Sequence, residues 1–316
     1  MNYFSIEAHK NSSVNSLRLV ENTQFAITGG GNDFLVKLHN LLESYSQTLP
    51  KEHTNAVNSI AIAKTRDFFC STSNDVVVLW DIVKQQKVQK LVASESEDTV
   101  RDQIMDSSIL NDNLVAVCGT NHRVKFFDLR QKQRSRPIFS LAAGDDNLNT
   151  LNFQENNILS IGSSNGNMYS IDLRNQNLIT DLFVNGSITS IDGYEEGLLI
   201  TFDIGLIELI DFKSSKRMLK LSEPCLASYK LNSQLIKDYY SNGLYYIAGA
   251  SEYGTIHLWS FYFDDPDHIY KAKELHPKIL DSKESGILNI VRFASNSNRL
   301  VSSSGDGMLH IWDNLI

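Results

Sequence analysis

One stretch of about thirty residues returns, in altered form, along the whole chain, and it restricts the fold more than any other feature. Residues 52–81 read EHTNAVNSIAIAKTRDFFCSTSNDVVVLWD. His53 precedes an alternation through Val57, Ser59, Ile60 and Ile62, a second run holds Phe68, Phe69 and Ser71, and an Asn-Asp turn leads into a third run that ends in Trp80-Asp81. Apolar residues at period two, broken by tight polar turns, predict antiparallel strands with one face buried.

The third run recurs as FLVKLHN (34–40), VVVLWD (76–81), VKFFD (124–128), MYSID (168–172), LIELID (206–211), TIHLWS (255–260) and MLHIWD (308–313). The positions equivalent to Trp80 are His39, Phe127, Ile171, Ile210, Trp259 and Trp312. They are separated by about 40 to a little over 50 residues, the period of a four-stranded propeller blade with loop insertions. Asp33, Asp75, Asn121, Asn165, Asp203 and Asp306 stand in the turns before these runs, where side chains that hydrogen-bond nearby backbone N–H groups are favoured. First strands are predicted at 14–19, 57–61, 104–109, 148–153, 188–192, 235–240 and 287–293, and second strands at 25–30, 68–72, 114–119, 158–162, 198–202, 244–250 and 299–304. The last copy ends after its third run. Residues 2–6 form a short alternating stretch with nothing local to pair with, so they are expected to complete that last copy and remove its exposed edge.

The repeat resembles the WD40 family: His53 stands in place of the usual Gly-His, and Trp80-Asp81 is the closing dipeptide. The resemblance implies an all-β, seven-bladed propeller over residues 1–316. It also implies a buried hydrogen-bond network of His53, Asp75, Ser71 or Ser73, and Trp80 in the second copy. Trp259, Asp306 and Trp312 are the corresponding members in later copies, and His9 matches His53 in the first.

With 42% hydrophobic and 21% charged residues, the 316-residue chain has material for a sizeable core. No apolar run approaches the roughly 18 to 20 residues needed to span a bilayer, and the N-terminus lacks a basic segment followed by an apolar one, so a cytosolic or nuclear protein is expected. Cys70, Cys118 and Cys225 are odd in number and form no CxxC pair, which argues against disulfides and zinc; neither metal nor cofactor is expected. A formal charge of -8 makes nucleic acid a poor default partner.

His, Ser and Asp in one repeat invite a hydrolase reading, but no GxSxG elbow occurs and the set is better spent on locking turns. Gly29-Gly30-Gly31-Asn32 has no Lys-Ser/Thr after it and leads into a strand, so it reads as a turn and not a phosphate cradle. Asp264, Asp265, Asp267 and His268 lack the spacing of a calcium loop and read as a solvated acidic loop. Two consecutive copies end in Asp-Leu-Arg, at Arg130 and Arg174. These resemble the WDxR box by which some WD40 receptors dock to the cullin-4 ubiquitin-ligase adaptor; the alternative is that each Arg pairs with a carboxylate of an adjacent turn. The basic run 130–136 reads as a connector. The least repeat-like segment, 261–285, carries Phe261, Tyr262, Phe263 and Tyr270 beside Asp264 and Asp265. It reads either as a partner-binding patch, with its aromatics partly forming an outer strand, or as a long loop.

The leading expectation is a non-catalytic scaffold or adaptor, a monomeric propeller that binds other proteins within a complex. In size and repeat order it is loosely similar to small scaffold-type WD40 proteins such as the mitogen-activated protein kinase organiser type. A cullin-4 substrate receptor and a reader of modified peptides are the alternatives, the latter requiring an aromatic cage or an Arg cluster at the channel mouth.

Overall fold

A computed structural model describes residues 2–64, 67–94, 102–131, 135–154, 157–175, 177–181, 186–194, 197–211, 216–223, 226, 231–237, 244–262, 270–271, 277–282, 286–294 and 298–315. The described residues form seven antiparallel sheets of four strands in consecutive order, one of them with an added fifth. Blade 1 is built from Val14–Leu19, Phe25–Gly30, Val36–Asn40 and Tyr45–Thr48, and blade 2 from Ser59–Ile62, Phe68–Ser73, Val76–Asp81 and Gln86–Val92. Blades 3 to 6 repeat the order, their innermost strands being Ile104–Leu110, Leu148–Phe153, Ile188–Tyr194 and Ser233–Lys237. Blade 7 combines Leu288–Ala294, Arg299–Ser304 and Met308–Asp313 with Asn2–Glu7, which pairs antiparallel with the third of these from Asn2 opposite Asp313 to Glu7 opposite Met308. The expected closure by the N-terminal stretch is therefore observed. The innermost strands touch in sequence around the molecule, blade 7 against blade 1, so the sheets close a ring.

The strands form where apolar residues alternate, and the turns form where the backbone takes a left-handed conformation. Asparagine supplies many of these turns: Asn11, Asn22, Asn74, Asn111, Asn157, Asn298 and Asn314 all have positive φ. Its short polar side chain tolerates that region better than most residues do. Phe34, expected in a strand, has φ +62°, so the third strand of blade 1 begins only at Val36. The first strand of blade 6 lies at Ser233–Lys237, two residues earlier than the predicted 235–240, of which 238–240 fall outside the described residues.

The core lies in the seams between blades. Ile27, Val36 and Leu38 of blade 1 meet Val57, Ile60, Phe69, Val78 and Trp80 of blade 2. Ile6, Leu309 and Ile311 of blade 7 likewise meet Val14, Leu17 and Ala26 of blade 1. Trp80, Trp259 and Trp312 are among the largest fully buried side chains.

Polar groups of the innermost strands sew the seams further, a device the periodicity did not reveal. Asp106 of blade 3 accepts hydrogen bonds from Leu151 N at 2.8 Å and Thr150 Oγ1 at 3.1 Å in blade 4, and from Ser59 Oγ at 2.7 Å in blade 2. Asp192 of blade 5 accepts from Leu235 N of blade 6 at 3.0 Å, and Gln234 of blade 6 accepts from Phe293 N of blade 7 at 2.7 Å. At the strand starts, Asn58 Nδ2 donates to Ile104 O at 2.8 Å, Asn149 Nδ2 to Ile188 O at 3.0 Å and Asn289 Nδ2 to Val14 O at 3.4 Å. Edge backbone groups facing a neighbouring blade thus find partners, as buried backbone groups must.

Candidate interaction surfaces and repeat networks

In blade 1 the second strand brings Thr28 between two histidines. His9 Nδ1 lies 2.7 Å from Asp33 Oδ2, His9 Nε2 2.8 Å from Thr28 Oγ1, Thr28 Oγ1 2.7 Å from His39 Nε2, and His39 Nδ1 2.7 Å from Ser46 Oγ. Burial lowers both histidine pKa values, that of His39 to about 3, so both rings are neutral near pH 7. A carboxylate only accepts, which fixes one direction for the whole chain of bonds. His9 Nδ1–H donates to Asp33, Thr28 O–H to His9, His39 Nε2–H to Thr28, and Ser46 O–H to His39. His39 therefore replaces the Trp of the repeat as a donor to the second-strand hydroxyl. Gly30 makes room for the set, because a Cβ there would collide with the Asp33 carboxylate and the His9 imidazole.

In blade 2 Trp80 Nε1 donates to Ser71 Oγ at 2.8 Å, and His53 Nε2 lies 2.7 Å from the same hydroxyl. Ser71 is thus the second-strand member; Ser73 instead donates to Asn55 O at 2.9 Å. The expected place of Asp75 in this network is corrected: His53 Nδ1 has no hydrogen-bond partner among the described residues, and the Asp75 carboxylate meets Ser94 Oγ at 3.4 Å. The cause is turn length. Ser73 pairs directly with Val76, leaving a two-residue turn too tight to bring Asp75 back to His53.

Blade 7 uses other contacts. Ser304 Oγ donates to Asp306, but the Trp312 indole N–H has no hydrogen-bond partner among the described residues. Trp312 packs instead against Tyr3 (centroids 5.4 Å apart) and His310 (6.1 Å). Trp259 of blade 6 packs against His257 at 5.7 Å.

These networks have the atoms of a hydrolytic site without access to one: His9, Thr28, His39 and Ser71 have no exposed surface. Among the described residues no three His, Cys, Asp or Glu side chains are grouped to hold a metal ion. Cys70 and Cys118 are buried, and burial pushes the Cys70 thiol up to about 12, so both act as core filler. No helix of the described residues is long and apolar enough to cross a membrane.

The two Asp-Leu-Arg motifs occupy equivalent turns of blades 3 and 4. Arg130 is bidentate on Asp128 (2.9 and 2.8 Å) and Arg174 on Asp172 (2.9 and 2.7 Å), which holds both carboxyls down to about 2. The partner is the Asp of the same motif and not a carboxylate of an adjacent turn, and both guanidiniums stay largely exposed. Of the 261–285 segment, Phe263, Asp264 and Asp265 lie outside the described residues, as do Asp267 and His268. The aromatics at its start do not form an outer strand: the third strand of blade 6 continues to Tyr262, and Phe261 is buried against Tyr245 (5.9 Å), which removes Phe261 from any exposed patch. The outer strand of blade 6 is Lys278–Asp281, and Tyr270–Lys271 is the added strand of blade 5, parallel to its outer strand Arg217–Ser222.

Arg18, Asp192 and Arg292 stand near the far ends of the innermost strands of blades 1, 5 and 7, close enough for their charges to act on one another. Arg292 Nη1 donates to Asn232 Oδ1 at 2.6 Å and to Val291 O at 2.7 Å. At the end where these strands begin, Asn58, Asn149 and Asn289 join neighbouring blades.

The family model for the WD domain, G-beta repeat, matches residues 44–81 and 277–313, in each case the outer strand of one blade and the first three strands of the next: Tyr45–Thr48 with blade 2 through Trp80, and Lys278–Asp281 with blade 7 through Trp312. No curated protein matches the chain. Two matched WD40 repeats, set in a closed ring of seven four-stranded blades, support a WD40-repeat β-propeller.

Proposed function

We propose that the protein is a non-catalytic scaffold that holds other proteins together within a multiprotein complex, in the cytoplasm or nucleus. WD40 propellers as a class mediate protein–protein interactions. The observation that carries the reading here is the sealing of the chemistry: Thr28 and Ser71, the hydroxyls at the centre of the two His networks, are locked inside their blades at no exposure. What the ring offers to solvent is the turns and rims, which suit binding. The test is purification from cells at near-endogenous level with mass spectrometry. A stoichiometric set of partner proteins is expected; a protein recovered alone at its native abundance would sink the reading.

One observation favours a second reading. Arg130 and Arg174 are exposed at the same turn of consecutive blades, as a docking element for the cullin-4 ubiquitin-ligase adaptor would require. Recovery of that adaptor with the wild type, and its loss from an Arg130→Ala/Arg174→Ala variant, would promote the substrate-receptor reading over the scaffold.

A further inference from the structure

In every blade the second strand turns into the third at the end of the ring where the innermost strand begins. In blades 5 and 6 these turns have one design. Asp203-Ile204-Gly205 and Glu252-Tyr253-Gly254 each set a carboxylate, then a large apolar residue, then a glycine in the left-handed region (φ +76° and +75°). The glycine reverses the chain and leaves the residue before it standing outward: Ile204 is 50% and Tyr253 77% exposed. Ile287, 47% exposed, enters blade 7 beside them, since Leu288 N donates to Ser251 O at 3.1 Å. Three large apolar side chains on neighbouring blades at one face are more than scattered surface hydrophobes need to explain.

The described charged residues of these turns have one sign. Asp203 is fixed by accepting Ser187 N at 2.9 Å, Glu223 is tied to the first turn by Glu223 N donating to Gly205 O at 2.9 Å, and Glu252 is exposed beside Tyr253. Among the described residues of these turns and of the connections entering blades 5 and 7, there is no Lys or Arg. The net charge of -8 adds a long-range field of the same sign.

We propose that this face of blades 5 to 7 docks a basic segment of another protein, one whose Lys or Arg residues are interleaved with aliphatic or aromatic anchors. This deepens the scaffold reading and rests on it. The anchors cover Ile204, Tyr253 and Ile287, with Tyr253 the main contact because a rigid amphipathic ring gives large area at low entropic cost. The cations answer Asp203, Glu223 and Glu252, chiefly steering encounter and setting selectivity.

The test pans a displayed library of random peptides on the full chain and measures the selected peptides by fluorescence anisotropy on wild type, Tyr253→Ser and Glu252→Lys. Selected peptides should be rich in Lys or Arg interleaved with apolar residues, and should bind either variant at least about tenfold more weakly. Their affinity should fall as salt rises. It should be unchanged on Arg130→Ala, at the opposite face. Peptides without a basic bias, or ones that bind both variants as tightly as wild type, overturn the proposal. Both substitutions lie on exposed turns and should leave the melting temperature in place; if one does not, Ile204→Ser replaces it with the same expectation. Partners held in cells by wild type and Tyr253→Ser alike would overturn this surface and leave the scaffold reading standing. A wild type that holds no partner would overturn the scaffold reading, while peptide selection still judges the surface.

Discussion

Tyr3 lies against Trp312 with ring centroids 5.4 Å apart, and its hydroxyl reaches His310 Nδ1 at 2.9 Å, joining the N-terminal strand to the last blade by both faces of its chemistry. Tyr3→Ala should lower stability by about 2–4 kcal/mol, combining lost aromatic packing with an unpaired buried hydrogen-bond partner. Tyr3→Phe should cost about 1–2 kcal/mol, the polar share alone. Urea denaturation followed by Trp fluorescence measures both, and equal losses from the two variants would show that packing contributes nothing.

Thr28 has the same pivotal place inside blade 1, since its hydroxyl serves His9 and His39 together. Thr28→Val keeps the shape and strands two buried imidazole nitrogens, so a loss of about 2–4 kcal/mol is expected, against a smaller one for Ser46→Ala at the end of the chain of bonds. Denaturant midpoints rank the two variants, and the reverse order would contradict the pivotal place of Thr28.

The buried histidines make stability fall in mild acid. Burial lowers the folded pKa of His39 to about 3 and of His53 to about 4, and lowers that of His9 as well, from the ordinary 6.5. For a folded pKa depressed below the unfolded one, the unfolded chain takes the proton first. The stability is therefore complete above about pH 6.5 and is lost as pH falls toward the folded values, by about 1.4 kcal/mol per pH unit for each histidine. Asp192 works in the opposite sense, because burial raises its pKa and its share is lost as pH rises above the ordinary carboxylate value. Denaturation curves between pH 7 and 5 should show the decline, with a shallower slope in His39→Phe. A flat profile would mean the rings are hydrated.

Asp106 gathers bonds from blades 2 and 4 at once. Asp106→Ala should cost about 2–4 kcal/mol, because it leaves the Leu151 amide and the Thr150 hydroxyl unpaired and takes one of two partners from the Ser59 hydroxyl, and Asp106→Asn roughly half of that. Hydrogen exchange at Leu151 should accelerate in both variants; unchanged protection would mean that blade 4 holds its inner strand without this carboxylate.

Arg130→Ala and Arg174→Ala should leave the melting temperature unchanged, since each guanidinium is exposed and, among the described residues, bonded within its own turn. A clear drop in thermal unfolding would assign the motif a structural task.

The strands were legible because alternation at period two survives even where the marker residues are gone, as in the blades that end at Ile171 and Ile210. The closing role of residues 2–6 was legible from an unpaired stretch at one end and a missing strand at the other. Outer strands such as Tyr45–Thr48 were not, because they are short, polar and largely exposed and carry little pattern. The seam-joining Asp106, Asp192 and Gln234 were invisible for a related reason: a polar residue in an apolar run reads as a flaw until the neighbouring blade's N–H is seen opposite it. Asp75 misled because composition places an acid in the turn but does not measure the turn's reach. At the surface, Ile204 and Tyr253 passed as ordinary loop residues, since their common face depends on the ring and not on spacing.

The strand Asn2–Glu7 is synthesised before every other strand of the ring, yet its partner Met308–Asp313 is made last. During synthesis it has no strand partner until the last strand of the ring has emerged, so assembly can proceed blade by blade but cannot be completed early. That pairing spans the greatest sequence separation in the molecule and makes ring closure a late, slow step of folding. A chain stalled before its last strand would carry an unpaired strand at each end, free to join another copy.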